Sequence, residues 1–585
     1  MAISISNPIG ATTAAAADDV ETPMLKSSVV DGAVDYKGRP ASRSSSGGWR
    51  SAAFIIGEII MSCVEIAERF AYYGISANLI MYLTGPLRQS TAAAAANVNA
   101  WSGAASLLPL LGAFVADSFL GRFRTIAFSS LLYILGLGLL TLSAAFPSSS
   151  HSDCETNDIM SCSPPMFQII LFFFALYLVA FAQGGHKPCT QAFGADQFDG
   201  DDPDECKAKS SFFNWWYFGV STGAMVTMAI VSYIQENLSW ALGFALPCIA
   251  MVIALVVFLL GTTTYRFSIA HNGKGPFVRI GSVFVAAFRN RRGAPSCIAT
   301  EVEVLPHSGS EQYKFLDKAL TAPHPFKEDG WICSVAEVEE AKAVLRLFPI
   351  WGTCLIYGIL FGQSPTFFTK QGATMERTIV PGFKIPAASL QCFTGISIIA
   401  SIPIYDRIFV PLARAFTRKP SGITTLQRIG AGLFISVFTM IIAALVEIKR
   451  LKTAEEYNLV DKPDVTIPMS VWWLLPQYML FGITDVLTMV GLQEFFYDQV
   501  PTELRSIGLA LYLSIVGVGS YLSSFLVTVI EKATGGSGRD SWFSNNLNRG
   551  HLDYFYWLLA GLSAAGFAAY FHFARAYIYN RRGTI

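Results

Sequence analysis

Charge is what this chain has least of. Only 14% of its 585 residues are Asp, Glu, Lys or Arg, against about 25% in soluble domains. Acidic and basic side chains balance to a net charge of +0, so no strong polyanion surface is implied and no nucleic acid partner is expected. Catalytic signatures are also missing. There is no Gly-x4-Gly-Lys-Ser/Thr phosphate loop, no His-Glu-x-x-His and no paired Cys-x-x-Cys. The ten cysteines show no metal-ligand spacing, and most sit inside apolar runs as packing residues. The expectation is a protein that is not an enzyme, with no cofactor and no metal. Without an ATP-binding unit, any work it does must draw on an ion gradient or a solute's own gradient. A cleavable signal peptide is absent too. Residues 1–50 are polar, with an alanine run (Ala14 to Ala17) and a serine cluster (Ser44 to Ser46), and read as a disordered cytosolic tail.

What the chain has in quantity is apolar sequence. Its mean hydropathy is +0.44 and 52% of its residues are hydrophobic. Stretches of about 20 apolar residues recur, the length that crosses about 30 Å of hydrocarbon. Twelve can be placed, at roughly 54–83, 98–119, 124–146, 166–188, 211–234, 241–263, 343–368, 386–405, 426–447, 469–496, 506–530 and 552–575. The second is the weakest, and Asp117 marks its end. A polar stretch from Tyr265 to Glu340 divides the spans six and six. The expected domains are a tail (1–50), a first six-helix bundle (51–265), a cytosolic linker (266–341) and a second bundle (342–585). An even span count puts both termini on one side. Arg122, Arg124, Lys207, Lys209, Arg407, Arg414 and Arg418 cluster in connections on that side, which the positive-inside rule makes cytosolic. The fold class is therefore an all-α membrane protein.

Inside the first span stands a group that lipid does not tolerate idly. Glu65, Glu68 and Arg69 lie three and four residues apart, so they share a helical face and can pair. An ionisable residue in a span costs roughly 2.5 kcal/mol or more and marks function by default. Two carboxylates beside one guanidinium leave a net negative charge that one proton neutralises, the minimum for a proton-coupled site. Lys187, at the end of the fourth span, follows Gly184-Gly185 and precedes Pro188, residues that weaken the helix there. His186 reads first as a packing histidine, with a proton relay as the lesser alternative. Asp485 in the tenth span reads as a capping or pairing group.

Six plus six spans with a cytosolic linker is the layout of the major facilitator fold, in which two bundles rock about a midplane site. Gly112-x4-Asp117-x3-Gly121-Arg122-x-Arg124 resembles the motif after that superfamily's second helix. It implies close helix approach at the glycines and a cytosolic gate in which Asp117 and Arg122 pair across the bundle interface. More specific resemblances follow. Glu65-x-x-Glu68-Arg69 with Phe70-Ala71-Tyr72-Tyr73-Gly74 resembles the first helix of the proton-dependent oligopeptide transporter family. Gly184-Gly185-His186-Lys187-Pro188-Cys189 with Phe193-Gly194-Ala195-Asp196-Gln197-Phe198-Asp199, then Phe212 to Tyr217, then Gly491 to Tyr497, are similar to its fourth, fifth and tenth helices. Asn548 to Asp553, and Lys37 to Trp49, resemble the plant nitrate transporter/peptide transporter family, the latter its fifth subfamily.

The resemblance implies roles. Glu65 and Glu68 accept protons, and Arg69 and Lys187 are the cations that compete for them. Tyr72, Tyr73, Trp215, Gln363 and Glu494 line the substrate space, with Glu494 facing a substrate amine from the second bundle. Ser76 stands where peptide-carrying relatives outside plants often have arginine, and the seventh span offers Phe361-Gly362-Gln363 with no histidine. Both departures weaken the peptide reading. The expected function is a proton-coupled carrier of nitrate or a small organic anion or zwitterion. A di- or tripeptide carrier and a non-transporting membrane sensor are the alternatives. Expected partners are the solute, protons and membrane lipid, with kinases acting on the tail or linker as candidates. Glu21 to Leu25 resembles an acidic dileucine signal of imperfect spacing, which leaves tonoplast and plasma membrane both open. Cys154 and Cys162, in the loop after the third span, are candidates for a disulfide.

Overall fold

The computed structural model describes residues 29–43, 45–48, 51, 64–146, 164–199, 202–268, 276–290, 313–320, 333–417, 423–501, 504–536 and 540–577. Cys154, Cys162 and the Glu21 to Leu25 signal lie outside them, as do the side chains of Asp117 and Trp215. Each of the twelve expected spans contains a helix among its described residues; the first and seventh are broken by a turn at 77–78 and 362–363, and the tenth opens on two residues of strand. The first bundle comprises Val64–Ser76 continued by Leu79–Thr84, then Thr91–Val115, Arg122–Ala145, Met166–Ala195, Pro203–Asn237 and Trp240–Leu260. The second comprises Val335–Phe361, Cys392–Ile404, Thr425–Glu456, Leu475–Asp498, Arg505–Thr534 and Leu552–Ala576. Among the described residues, ten helices are long and apolar enough to cross a membrane. The first and fifth segments are the two outside that count; the first is only partly described, and in the fifth the side chains of residues 209–219 lie outside the described ones.

Local chemistry explains where these helices begin. Ser334 accepts from the Glu337 backbone N–H while the Glu337 carboxylate caps Ser334, a reciprocal box that starts the seventh span eight residues before its apolar stretch. Thr424 and Gln427 do the same for the ninth span. Asp202 caps the fifth, with Pro203 as its first helical residue. The second span starts at Thr91 rather than 98, because Ser90 caps an alanine run that forms helix readily.

Part of the expected tail is built into the fold. Val29–Val34 pairs antiparallel with Pro40–Ser42 and with Phe267–Ser268, just after the sixth span. Arg266, 1% exposed, donates to the Ser46 carbonyl and pairs with Glu205, and Arg43 pairs with Asp199 at 2.6 Å. Gly47 adopts φ +81°, and a Cβ there would sit 2.0 Å from Arg266 Nε. This clasp closes over the cytosolic ends of the fourth, fifth and sixth spans. The linker contributes a helix, Pro276–Arg289, and a turn, Lys314–Leu320, which pack on the start of the seventh span through Val283, Leu316 and Val338. Arg279–Glu340 and Lys342–Asp317 ion pairs, both at 2.7 Å, fasten them there.

Hydrogen bonds that cross between the bundles gather at the ends away from the linker. Arg377, after the seventh span, reaches Glu236 at the end of the fifth at 2.5 Å. Lys370 donates to Thr84, Gln391 to the Ala77 carbonyl and Ser389 to the Met228 carbonyl, each at 2.9 Å. Asn99 of the second span donates to Ser523 of the eleventh at 3.0 Å. This is the arrangement of a two-bundle carrier closed on the side away from the linker.

Candidate functional site

The expected charge cluster forms in the first span. Glu65, Glu68 and Arg69 are 1%, 0% and 7% exposed. Arg69 Nη2 donates to Glu65 Oε1 at 2.9 Å, and its Nε lies 3.2 Å from that oxygen and 3.2 Å from Glu68 Oε2. One guanidinium thus serves two carboxylates. Glu65 Oε2 and both Glu68 oxygens remain buried without a hydrogen-bond partner among the described residues. In a low-dielectric interior that is costly for a carboxylate and much less so for a carboxyl group.

Lys187 comes to the same place from the fourth span. It stands within electrostatic reach of Arg69, Glu68 and Glu65, and makes no hydrogen bond or ion pair among the described residues. Close packing brings the spans together. A Cβ on Gly112 of the second span would lie 2.1 Å from the Gly184 carbonyl oxygen of the fourth, so only glycine permits that crossing. Tyr72 and Tyr73, both half-buried, complete the first span's face. Tyr72 stacks on Trp101 with centroids 5.5 Å apart and meets Tyr73 edge-on at 5.3 Å.

Two expectations need correction. Glu494 does not face the space between the bundles. Its side chain is 48% exposed near the cytosolic end of the tenth span, 3.4 Å from Arg428 of the ninth. The acid that does project from the middle of that span is Asp485. It is half-buried, packed round by protein, and accepts from the Tyr357 hydroxyl of the seventh span at 3.1 Å. Gln363 is 0% exposed and spends its amide on the Ile359 carbonyl and on Ser523, beside the Asn99 contact. It belongs to the closed seam between bundles rather than to a lining. Arg122 pairs with Asp196, at the end of the fourth span, at 2.6 Å. That bond lies within the first bundle, because the third span starts beside the end of the fourth; Asp117, the expected partner, has its side chain outside the described residues.

The outer half of the second bundle holds a further group that the sequence reading missed. Glu447 and Arg450 are each 0% exposed. Arg450 donates to both Glu447 oxygens, to Asn548 and to the Leu547 carbonyl, and Gln371 donates to Glu447 at 2.8 Å. Every charge there is answered, which marks a structural tie among the seventh, ninth and twelfth spans. The first-span cluster differs in having oxygens left over.

Comparison with known proteins agrees with this architecture. The sequence pattern of the POT family matches residues 123–543. Protein NRT1/PTR family 5.10 of Arabidopsis thaliana is 64% identical over 572 residues, covering 97% of this chain and 99% of that protein. NRT1/PTR family 5.12 of the same plant is 57% identical, covering 94% and 96%. Among solved structures, an auto-inhibited POT family peptide transporter superposes with a TM-score of 0.67 at 21% identity, covering 92% of this chain and 99% of that one. The POT family transporter PepTSo gives 0.66 at 20% identity, covering 90% and 98%. The chain belongs to the POT family of proton-dependent transporters, among its NRT1/PTR members, and is a multi-pass membrane protein of the major facilitator fold.

Proposed function

We propose that this carrier moves a small organic anion or zwitterion together with a proton, with Glu65, Glu68, Arg69 and Lys187 as the coupling site. The observation that carries the reading is the charge sum at that site. Two buried carboxylates and two cations add to zero. One proton makes the cluster +1, and one monoanion beside Arg69 and Lys187 returns it to zero. Burying either alone leaves an uncompensated charge, which costs several kcal/mol in effective terms. Proton and anion are therefore favoured together, and the empty and doubly loaded forms are the two that reorient. Asp485 gives a zwitterion a second anchor: the substrate amine pairs with it in the second bundle while the substrate carboxylate supplies the anion beside Lys187 and Arg69, so the sum in the first bundle is the same. Tyr72 and Tyr73 supply lining. Nitrate satisfies the first bundle alone and is the second reading. Arg122, through Asp196, steadies the cytosolic ends of the third and fourth spans, and Asp117 is kept as a gating candidate.

Proteoliposomes with an inward pH gradient test this. Uptake of nitrate, of a dipeptide and of a small amino acid-like zwitterion is compared in wild type and Glu68→Gln. The variant should reach the membrane but lose accumulation driven by the gradient. If Glu68→Gln concentrates a transported solute with unchanged pH dependence, the site assignment is wrong.

A further inference from the structure

His186 of the fourth span is an ionisable group that the cycle above leaves unused. It is 0% exposed. Thr190, one turn on, donates its single hydroxyl hydrogen to the His186 carbonyl at 2.9 Å. The same oxygen lies 3.4 Å from His186 Nδ1, so at that contact it can only accept. This arrangement favours the Nδ1–H tautomer of the neutral imidazole, with the lone pair on Nε2. Nε2 is buried and has no partner among the described residues.

The surroundings of that lone pair are just as underserved. Tyr133 of the third span packs edge-on against the ring, centroids 6.2 Å apart at 76°, and its hydroxyl is buried without a partner. Gln183 Oε1, one turn earlier on the fourth span, is in the same condition, as are Glu65 Oε2 and both Glu68 oxygens. Glu68 and Arg69 are in electrostatic reach of both His186 and Tyr133, and Glu65 of Tyr133. The fourth span itself adds Lys187 and Cys189. The second span, also packed on the fourth, carries no ionisable side chain from Thr91 to Val115. Each unanswered buried polar atom costs about 1–3 kcal/mol. Such atoms are normally served by ordered water, which needs two to four polar neighbours. Here groups from three spans can supply them: Tyr133 packs against the ring, and Glu68 is within electrostatic reach of both.

We propose that His186 is a second proton-holding residue of this carrier, joined to Glu68 through the Tyr133 hydroxyl and bridging water. The inference rests on the proton site proposed above. A proton arriving on the Glu68 carboxylate makes a neutral carboxyl. That O–H passes its proton along the bridge to Nε2, leaving a carboxylate and an imidazolium, while the Nδ1–H keeps its hydrogen and still faces Thr190 Oγ1. Net charge is unchanged, but the proton now sits behind the first span. Glu68 is restored as a partner for Arg69 with the proton still aboard.

The test needs no substrate. The chain is produced with ¹⁵N-labelled histidine rings, placed in lipid nanodiscs and followed by NMR against pH. The His186 signal is identified by its loss in His186→Gln. Should that variant not fold, a chain in which the other six of the seven histidines are replaced leaves the same single signal. The neutral ring should be the Nδ1–H tautomer. Its titration midpoint should differ between wild type and Glu68→Gln by about one pH unit or more, as for charges within a few ångströms. An Nε2–H tautomer, or coincident titrations, overturns the relay. If either occurs while Glu68→Gln still abolishes gradient-driven uptake, the carboxylate site stands without His186.

Discussion

Removing half of the Glu236–Arg377 pair should loosen the outer side of the carrier by a measurable amount. The pair joins the fifth span to the segment after the seventh, at 2.5 Å, with side chains 23% and 15% exposed, and Glu236 Oε2 is itself buried. Arg377 also donates to the Ile385 carbonyl, which fixes its approach. An exposed ion pair is worth about 0–1 kcal/mol, and breaking a buried one costs about 3–5 kcal/mol. Partial burial puts Glu236→Gln near 2 kcal/mol, or roughly a 30-fold shift between outer-closed and outer-open forms. The shift should not be complete. Lys370–Thr84, Gln391–Ala77, Ser389–Met228 and Asn99–Ser523 still cross the seam, each contributing about 0.5–1.5 kcal/mol. Spin labels on Leu238 and Val465, both exposed at the outer ends, would report the opening in a background without reactive native cysteines. The long-distance population should grow by on the order of ten-fold or more in Glu236→Gln and in Arg377→Gln. Reversing the pair, Glu236→Arg with Arg377→Glu, should restore much of the short distance, as a double-mutant cycle requires. Unchanged distances in both single variants would refute the latch, and single-variant effects that merely add in the reversal would refute the pairing.

Other sites give equally direct outcomes. Arg450→Met leaves Glu447 charged in a sealed interior and should cost about 3–5 kcal/mol, seen as a large fall in thermal stability in detergent, whereas Arg450→Met with Glu447→Gln should recover much of it. A melting point unchanged in the single variant would contradict the burial. Gly47→Ala forces a Cβ into Arg266 at a positive φ, so the clasp should open and cleavage by trypsin after Lys37 should accelerate several-fold without loss of the membrane core; an unaltered digestion rate would mean the arm is not held there. Glu494→Ala should leave uptake within a small factor of wild type, because that side chain is half-exposed beside Arg428. Asp485→Asn should weaken a zwitterionic substrate by about 2–5 kcal/mol while sparing nitrate, and equal effects of the two substitutions would remove Asp485 from the substrate space.

Glu494 and Asp485 also show where the sequence stops being legible. Spans, their six-plus-six grouping and the first-span cluster can be read because each rests on short-range regularity: about 20 apolar residues per crossing, or three charges within one helical turn and a half. Which acid of the tenth span looks inward is a different kind of fact. The two lie nine residues apart, and at about 100° per residue that is half a turn, so they occupy opposite faces. If one faces the neighbouring bundle the other cannot. Motif likeness drew attention to Glu494, inside Gly491 to Tyr497. Depth favours Asp485, which stands eleven residues into a helix running Leu475–Asp498 while Glu494 is four from its end. A charge near the end of a span reaches water and cytosolic partners cheaply, as Arg428 shows. A charge at the centre must find a partner in protein, as Tyr357 shows. Weighing cost by depth would have reversed the choice from sequence alone. Pairs such as Arg122–Asp196 and Arg450–Asn548 join residues 74 and 98 positions apart. They depend on which span ends are neighbours, and no local pattern carries that. The same limit applies to His186: its sequence neighbours suggest packing, and only the contacts with Thr190 and Tyr133, with Nε2 lacking a partner among the described residues, point to the proposed second role.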